Sequence, residues 1–247
     1  MFNLFKKSRK EEKPKLFYNS DMHCHILPGI DDGSPDVETS VQLVRRMAEW
    51  GIRHVVATPH VTEYTFENTE ETISAAYNEL MERLKEEDID MDIVFSAEYR
   101  MDENFLELVQ RNELLPVPGN RLLIENSFLQ PFWDIKNLIF QLQLKGYEPI
   151  LAHPERYIYY FRDKSVYREL IQAGCRMQIN LLSLAGYYGK EVQQVGMWLV
   201  KEGLVHFIGS DLHHEDHADA IDHFLGSSAY IKIIPQLERV QNSSLFP

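Results

Sequence analysis

Seven short apolar runs alternate with helix-like segments along this chain, and each run ends in polar side chains. The runs are residues 18–25 (YNSDMHCH), 54–60 (HVVATPH), 92–99 (DIVFSAEY), 121–127 (RLLIENS), 148–154 (EPILAHP), 176–180 (RMQIN) and 206–213 (HFIGSDLH). Between them lie helical patterns such as SVQLVRRMAEW, ETISAAYNELMERLKEE, IKNLIFQLQLK, SVYRELIQAG and VGMWLVKEG, several of them closed by glycine. The last notable polar residues of the runs are His25, His60, Glu98, Glu125, His153, Asn180 and Asp211, separated by 35, 38, 27, 28, 27 and 31 residues. Each interval accommodates one strand, one helix and a return. Repeated units of this kind predict an α/β fold, a parallel sheet closing on itself as a TIM-like barrel whose active site lies at the C-terminal strand ends. Seven units are visible rather than eight.

A chain of 247 residues with 44% hydrophobic content suits one domain with a large core. We place that domain at residues 16–247, after a basic and flexible tail at 1–15. The tail carries six Lys/Arg and two Glu, a local charge of +4; removing it from the total of −13 leaves −17 for the body. Such a body repels nucleic acid. Phe2, Leu4 and Phe5 alternate with basic residues, which suits weak contact with an anionic membrane surface. Two cysteines, Cys24 and Cys175, make no disulfide framework. With no apolar run of about 18 residues and no signal-like N-terminus, the expected location is the cytoplasm, peripheral to the inner membrane where the tail engages it.

Strand periodicity then bears on chemistry. Residues two apart share a face, so His23 and His25 point together and Cys24 points away. A cysteine phosphatase also needs an arginine about six positions on, where Cys24 and Cys175 are followed by Ile30 and Leu181. The nucleophile is therefore not a thiol. Imidazoles sharing a face with carboxylates from other strands are ligands suited to manganese, iron or zinc. Asp211 and His213 repeat the two-residue spacing, and with Asp32, His60, Glu98, Glu125 and His153 they complete nine candidate ligands. Nine exceed the needs of one ion and suit a cluster of two or three. Four carboxylates (Asp32, Glu98, Glu125, Asp211) against three divalent ions leave −4 + 6 = +2, a match for a phosphate monoester dianion. Clustered ions activate water as hydroxide, orient it and neutralise developing charge.

The motifs HCH (23–25), DDG (31–33), TPH (58–60), AEY (97–99), IEN (124–126), AHPER (152–156) and SDLH (210–213) resemble those of the polymerase and histidinol phosphatase (PHP) superfamily. Within it they look like the metal-dependent protein-tyrosine phosphatases of bacterial capsule and exopolysaccharide operons. The resemblance implies a distorted (β/α)7 barrel holding three divalent ions, manganese first and iron or zinc next. It further implies that His23, His25, Glu98 and Asp211 hold one ion, that Glu98 bridges to a second held by Glu125 and His153, and that Asp32, His60 and His213 hold the third. Asp31 is implied as a neighbour of that set and Arg156 as a phosphate ligand. The implied substrate is a phosphotyrosine protein, a bacterial tyrosine kinase that controls polysaccharide export.

One departure stands out: relatives often carry another arginine soon after the final Asp-x-His, whereas HHEDHADAIDH (213–223) has none and the next is Arg239. Either His214 or His217 substitutes, or metals hold more of the phosphate; both histidines read as solvated residues at a helix start. Tyr64 and Phe66 could sandwich an aromatic ester or pack on their own scaffold. The rival functions are a small-molecule phosphatase of the histidinol-phosphate type, an amidohydrolase-like deacetylase, and a non-catalytic metal-stabilised module. Short loops favour a protein substrate, and the intact ligand set opposes a module without catalysis.

Overall fold

The computed structural model describes residues 15–237 and 239–246. The basic segment at 1–15, with its expected membrane contact, therefore lies outside the described residues except for Lys15.

Among the described residues nine strands form, and every ladder between them is parallel. One sheet has the order β1 (Ser20–Cys24), β2 (His54–Ala57), β4 (Asp92–Phe95). The other runs β3 (His60–Val61), β5 (Glu98–Arg100), β6 (Arg121–Glu125), β7 (Glu148–Ala152), β8 (Arg176–Asn180), β9 (Phe207–Gly209). Two of the expected runs are thus split: 54–60 into β2 and β3, 92–99 into β4 and β5. Proline explains the first break, since Pro59 has no N–H to give a ladder. Backbone bonds continue across both gaps, from Ser96 N–H to Ala57 O (2.9 Å) and from Glu98 N–H to Pro59 O (3.0 Å). The far edge of the larger sheet also meets β1, through Asp211 N–H to His23 O (2.8 Å), His25 N–H to Leu212 O (2.9 Å) and a parallel bridge between Cys24 and Leu212. The fold is α/β, a parallel sheet with covering helices.

Parallel pairing demands crossovers, and the helices supply them. Helix α1 (Val37–Glu49) starts where the Asp36 carboxylate accepts from Thr39 N–H (2.8 Å), and it buries Val41, Val44 and Met47 on one face. Helix α2 (Glu70–Glu86) starts with a reciprocal cap between Thr69 and Thr72; Glu70 and Glu71 lie in its first turn and Arg83 and Lys85 in its last, matching the helix dipole. The remaining crossovers use α3 (Glu103–Arg111), α4 (Ile135–Leu144), α5 (Ser165–Gln172), α6 (Leu181–Ala185) and α7 (Lys190–Lys201), and α8 (Glu215–Leu225) follows β9.

The strands separate two cores. Alternate residues such as Tyr99, Leu122, Ile124, Leu151, Met177, Ile179 and Ile208 pack outward under the helices. The opposite parity supplies an inner cluster of Met22, Val56, Val117, Leu123, Ile150, Ala152, Phe207 and Leu245. Above that plug, towards the C-terminal strand ends, the inward positions turn polar: Glu98, Arg100, Glu125, Gln178 and Asn180. The C-terminal segment closes the other end. Asn242 is buried, accepting from Ile208 N–H (3.0 Å) and donating to Ile208 O (2.7 Å) and Ser20 O (2.9 Å). Helix α9 (Ser228–Ile233) buries Tyr230, whose hydroxyl donates to Lys15 O (3.1 Å) and accepts from Phe17 N–H (3.0 Å).

Candidate metal centre

Strand β1 delivers the first two histidines through a bulge. Its register against β2 shifts between Asp21 and Cys24, so Met22 joins the inner plug while its neighbour His23 also faces inward, one level higher. His25 follows on the same face, and Cys24 turns into the outer core, fully buried. Burial, reinforced by the charge of Asp21, pushes the Cys24 thiol well above its ordinary value. A thiol buried on the far side of the strand and held in its neutral form is poorly placed to serve this site as a nucleophile.

All nine expected ligands come together. Ligand atoms group as His23, His25 and Asp211; as His23, Glu98 and His153; as His60, Glu98 and Glu125; and as His25, Asp32, His60 and His213, each set lying within 4.8 Å of itself. Glu98 is the hub. Its Oε2 lies 3.2 Å from His23 Nε2, 3.4 Å from His25 Nε2 and 3.2 Å from His60 Nδ1, and its Oε1 lies 3.0 Å from His153 Nε2. Asp211 Oδ1 approaches His23 Nε2 (3.3 Å) and His25 Nε2 (3.5 Å). His60 spans two sets, because its Nδ1 faces Glu98 and Glu125 while its Nε2 lies 3.5 Å from Asp32 Oδ1. His213 Nε2 is 3.6 Å from the same Asp32 oxygen.

Hydrogen bonds behind the ligands settle which atoms are free. Gln178 Oε1 accepts from His153 N–H (3.3 Å) and from His23 Nδ1–H (2.9 Å), and its Nε2 donates to Asn180 Oδ1 (2.9 Å). Asp31 Oδ2 accepts from His25 Nδ1–H (2.8 Å) and His60 N–H (3.1 Å), while its Oδ1 accepts from Gly33 N–H (2.9 Å). Both Nε2 atoms therefore carry lone pairs, and they stand 3.2 Å apart against two carboxylate oxygens. Both oxygens of the fully buried Glu98, together with Glu125 Oε2 and His60 Nδ1, have no hydrogen-bond partner among the described residues. Buried lone pairs converging without donors are costly unless a cation lies among them. Separations of 3.2–3.5 Å are also close to the ~3.4 Å edge of a tetrahedron with metal–ligand bonds of ~2.1 Å. The donor set fits divalent metal ions.

Electrostatics point the same way. Burial pushes the Glu98 and Asp211 carboxyls up, yet the charge of His23 and its neighbouring histidines outweighs it and holds both well below the usual carboxylate range. His23 in turn is lowered by burial and raised more by Glu98 and Asp211, reaching about 9. The same carboxylate field that favours positive charge at the His23 Nε2 favours a metal cation there, which would take the lone pair in place of a proton. Glu125 is pushed up to about 8 by burial and by Glu98, with Arg100 pulling it back.

Two glycines make room. A side chain at Gly33 would meet His25 O at 2.1 Å, and one at Gly209 would meet the His23 Cβ at 2.6 Å and Gln178 Nε2 at 2.8 Å. Two of the candidate ligands sit on unusual backbone, His153 at φ 33° and Asp211 at φ 53°. At Asp211 the turn is held by His217, whose Nδ1 lies 3.2 Å from Asp211 O and accepts from His213 N–H (3.3 Å). His217 is therefore buried, packed between Tyr187 and His214, rather than solvated as its helix-start position suggests.

Arg156 closes one flank. Its Nη1 donates to Asp211 Oδ2 (2.9 Å), and its guanidinium carbon lies 4.1 Å from the Tyr188 ring centre and 4.7 Å from that of Phe128. Asn180 Nδ2 donates to the same Asp211 oxygen. Phe128 also stacks on His153, and Phe66 stacks on His60, whereas Tyr64 is exposed. Gln178, Phe128 and Tyr188 are functional neighbours that sequence reasoning missed; for Gln178 the inward parity of RMQIN was an available signal. A separate cavity of about 760 Å³ between residues 61–73 and 103–115 is walled by Glu63, Glu67, Glu70, Glu103 and Glu107, a charge unsuited to a phosphate ester.

Residues 19–224 match the model of the family "Capsular polysaccharide synthesis, CpsB/CapC". The chain belongs to this family. Over 195 residues it is 35% identical to the tyrosine-protein phosphatase YwqE of Bacillus subtilis, covering 78% of this chain and 77% of that protein. A chain from the crystal structures of YwqE and of Streptococcus pneumoniae CpsB, described as unique metal-dependent tyrosine phosphatases, superposes with a TM-score of 0.76 at 30% identity, covering 90% of this chain and 95% of that one. The histidinol phosphate phosphatase of Lactococcus lactis, solved with zinc, L-histidinol and phosphate, shares the fold at a TM-score of 0.51 and 14% identity, covering 84% and 94%.

Proposed function

We propose that this chain is a metal-dependent tyrosine-protein phosphatase that hydrolyses the phosphate monoester of a phosphotyrosine protein. The observation that carries this reading is Glu98, a fully buried carboxylate ringed by four imidazoles, with neither oxygen hydrogen-bonded among the described residues. Family membership and the names of the relatives supply the substrate class.

On this reading His23, His25, Glu98 and Asp211 hold one divalent ion, Glu125 and His153 with Glu98 a second, and Asp32, His60 and His213 a third. Manganese is the first candidate and iron or zinc the next, on the mixed nitrogen and oxygen donor set. When bound, the ions supply Lewis acidity and water of lowered pKa at the ester. The protein's own part is positional. Asp31 and Gln178 fix the rings of His25 and His23 with their lone pairs inward. Arg156, braced by Asp211 and the Phe128 and Tyr188 rings, offers its remaining N–H groups to a phosphate oxygen. Asp31 touches no substrate on this reading and acts through His25.

Seven parallel strand positions, with the larger sheet's edge returning to β1, support a distorted (β/α)7 barrel of the PHP type spanning 16–247. Among the described residues no helix is long and apolar enough to cross a membrane. We infer a cytoplasmic enzyme whose target is a tyrosine kinase of polysaccharide export, on the strength of the family's role in capsular polysaccharide synthesis.

The test is metal analysis of protein purified without chelator, then turnover of a phosphotyrosine peptide beside histidinol phosphate. Two or more first-row ions per chain are expected, with activity abolished by chelation, restored first by manganese, and higher on the peptide. Full turnover by demetallated protein would sink the mechanism, and a strong preference for histidinol phosphate would move the function to the small-molecule reading.

A further inference from the structure

The segment after Asp211 offers no second arginine, yet the metal centre has one from another direction. Strand β5 reads Glu98, Tyr99, Arg100. Tyr99 turns into the outer core, where its hydroxyl accepts from Leu115 N–H (2.7 Å), so Arg100 shares the inward face of Glu98, one step nearer the open end of the site. Its Cα is the ladder partner of Glu125. Its Nε–H donates to Glu125 Oε1 (2.9 Å). A guanidinium has five N–H donors, and among the described residues the Arg100 side chain has no hydrogen-bond or ion-pair partner besides Glu125. The side chain is 26% exposed, so it is not sealed off from solvent as its partner Glu125 is.

Arg100 and Arg156 are, among the described residues, the arginines or lysines ion-paired to carboxylates of the cluster. Arg156 pairs with Asp211, just after β9, and Arg100 with Glu125, at the end of β6, so the two guanidinium groups are tied to different carboxylates of the cluster. We propose that Arg100 is the second phosphate-binding guanidinium of this enzyme: with Nε spent on Glu125, its Nη groups donate to an oxygen of the phosphate monoester, beside the contact made by Arg156. This assignment rests on the phosphatase reading above. A bare counter-ion to Glu125 uses one donor and gives the rest no role; a dianionic ester over the cluster uses them.

The test is calorimetric binding of inorganic phosphate to metal-loaded enzyme, with divalent metal content measured on the same samples, for the parent, Arg100→Gln and Arg100→Lys. Glutamine can still donate to Glu125 but carries no charge; lysine keeps the charge and loses the fork. Arg100→Gln is expected to keep the parental metal content and bind phosphate roughly tenfold or more weakly, the scale of a charge-assisted contact. Arg100→Lys is expected to recover part of that loss. Parental phosphate affinity in both variants overturns the proposal, as does a loss that merely tracks lost metal, which would make Arg100 a brace for Glu125 alone. A parent that binds no phosphate removes the phosphatase reading and this assignment together, whereas a parent that binds it beside an equally competent Arg100→Gln removes this assignment only.

Discussion

Asp31 is where a conservative change should be most informative. Its two oxygens accept from three N–H groups: His25 Nδ1, His60 N and Gly33 N. Asparagine keeps the shape but has a single acceptor oxygen. If that oxygen faces His25 and His60, the new amide N–H₂ is driven against the Gly33 N–H, donor to donor. If it faces Gly33, the amide confronts His25 Nδ1, and the imidazole must move its proton to Nε2, which removes the lone pair aimed at Glu98 and Asp211. The first orientation costs about 1–3 kcal/mol for an unsatisfied buried donor. The second disables one ligand outright. Loss of a group that orients a ligating histidine typically costs 10–100-fold in metal affinity, about 1.4–2.7 kcal/mol. Asp31→Asn should therefore bind manganese roughly 10–100-fold more weakly in competition with a chromophoric chelator, and recover most of its activity when the metal is raised to compensate. Since Asp31 touches no substrate on this reading, the Michaelis constant for a phosphotyrosine peptide at saturating metal should change little. Parental metal affinity in Asp31→Asn, or an activity loss that saturating metal does not repair, would refute the positioning argument.

Arg156→Ala should retain its metal, because Asn180 still holds the Asp211 oxygen, yet lose roughly 10²-fold in kcat/KM, about 2.7 kcal/mol, with lysine rescuing only in part; near-parental turnover would mean that the phosphate is held without it. Cys24→Ser should stay within a few-fold of parental activity, since the thiol faces the outer core and its hydrogen bond to Val56 O is one a hydroxyl can reproduce; abolished turnover at unchanged metal content would restore a role for sulfur.

Much of the site is legible in the sequence, for a reason that also explains what is not. An inward strand position is dry, and a polar group there costs several kcal/mol unless compensated. Polar residues set among apolar strand residues therefore announce themselves, as His25, Glu98, Glu125 and Asp211 do, and Gln178 and Arg100 belong to the same class by parity. The split of β2 from β3 was also readable, in Pro59. The bulge in β1 was not, because SDMHC alternates well enough to pass as regular strand, and only its pairing with β2 shows two residues opposite one.

Residues at the rim carry no comparable penalty. Phe128 and Tyr188 lie on loops, where an aromatic side chain is tolerated whether or not it meets anything, so their convergence on Arg156 leaves no local mark. His217 departs from its sequence pattern on the same ground: a histidine beside Glu215 and Asp216 in the first turn of a helix reads as solvated, and only the left-handed turn at Asp211 brings a carbonyl and an N–H to its Nδ1. What the sequence exposes is thus the cost of burying charge; where burial is cheap or partial, the chain must fold before the neighbours of a side chain can be known. Arg100 falls between the two cases. Its inward parity could be read from the chain, but its partner Glu125 and its unused N–H donors could not, and those are the features on which its proposed contact with phosphate depends.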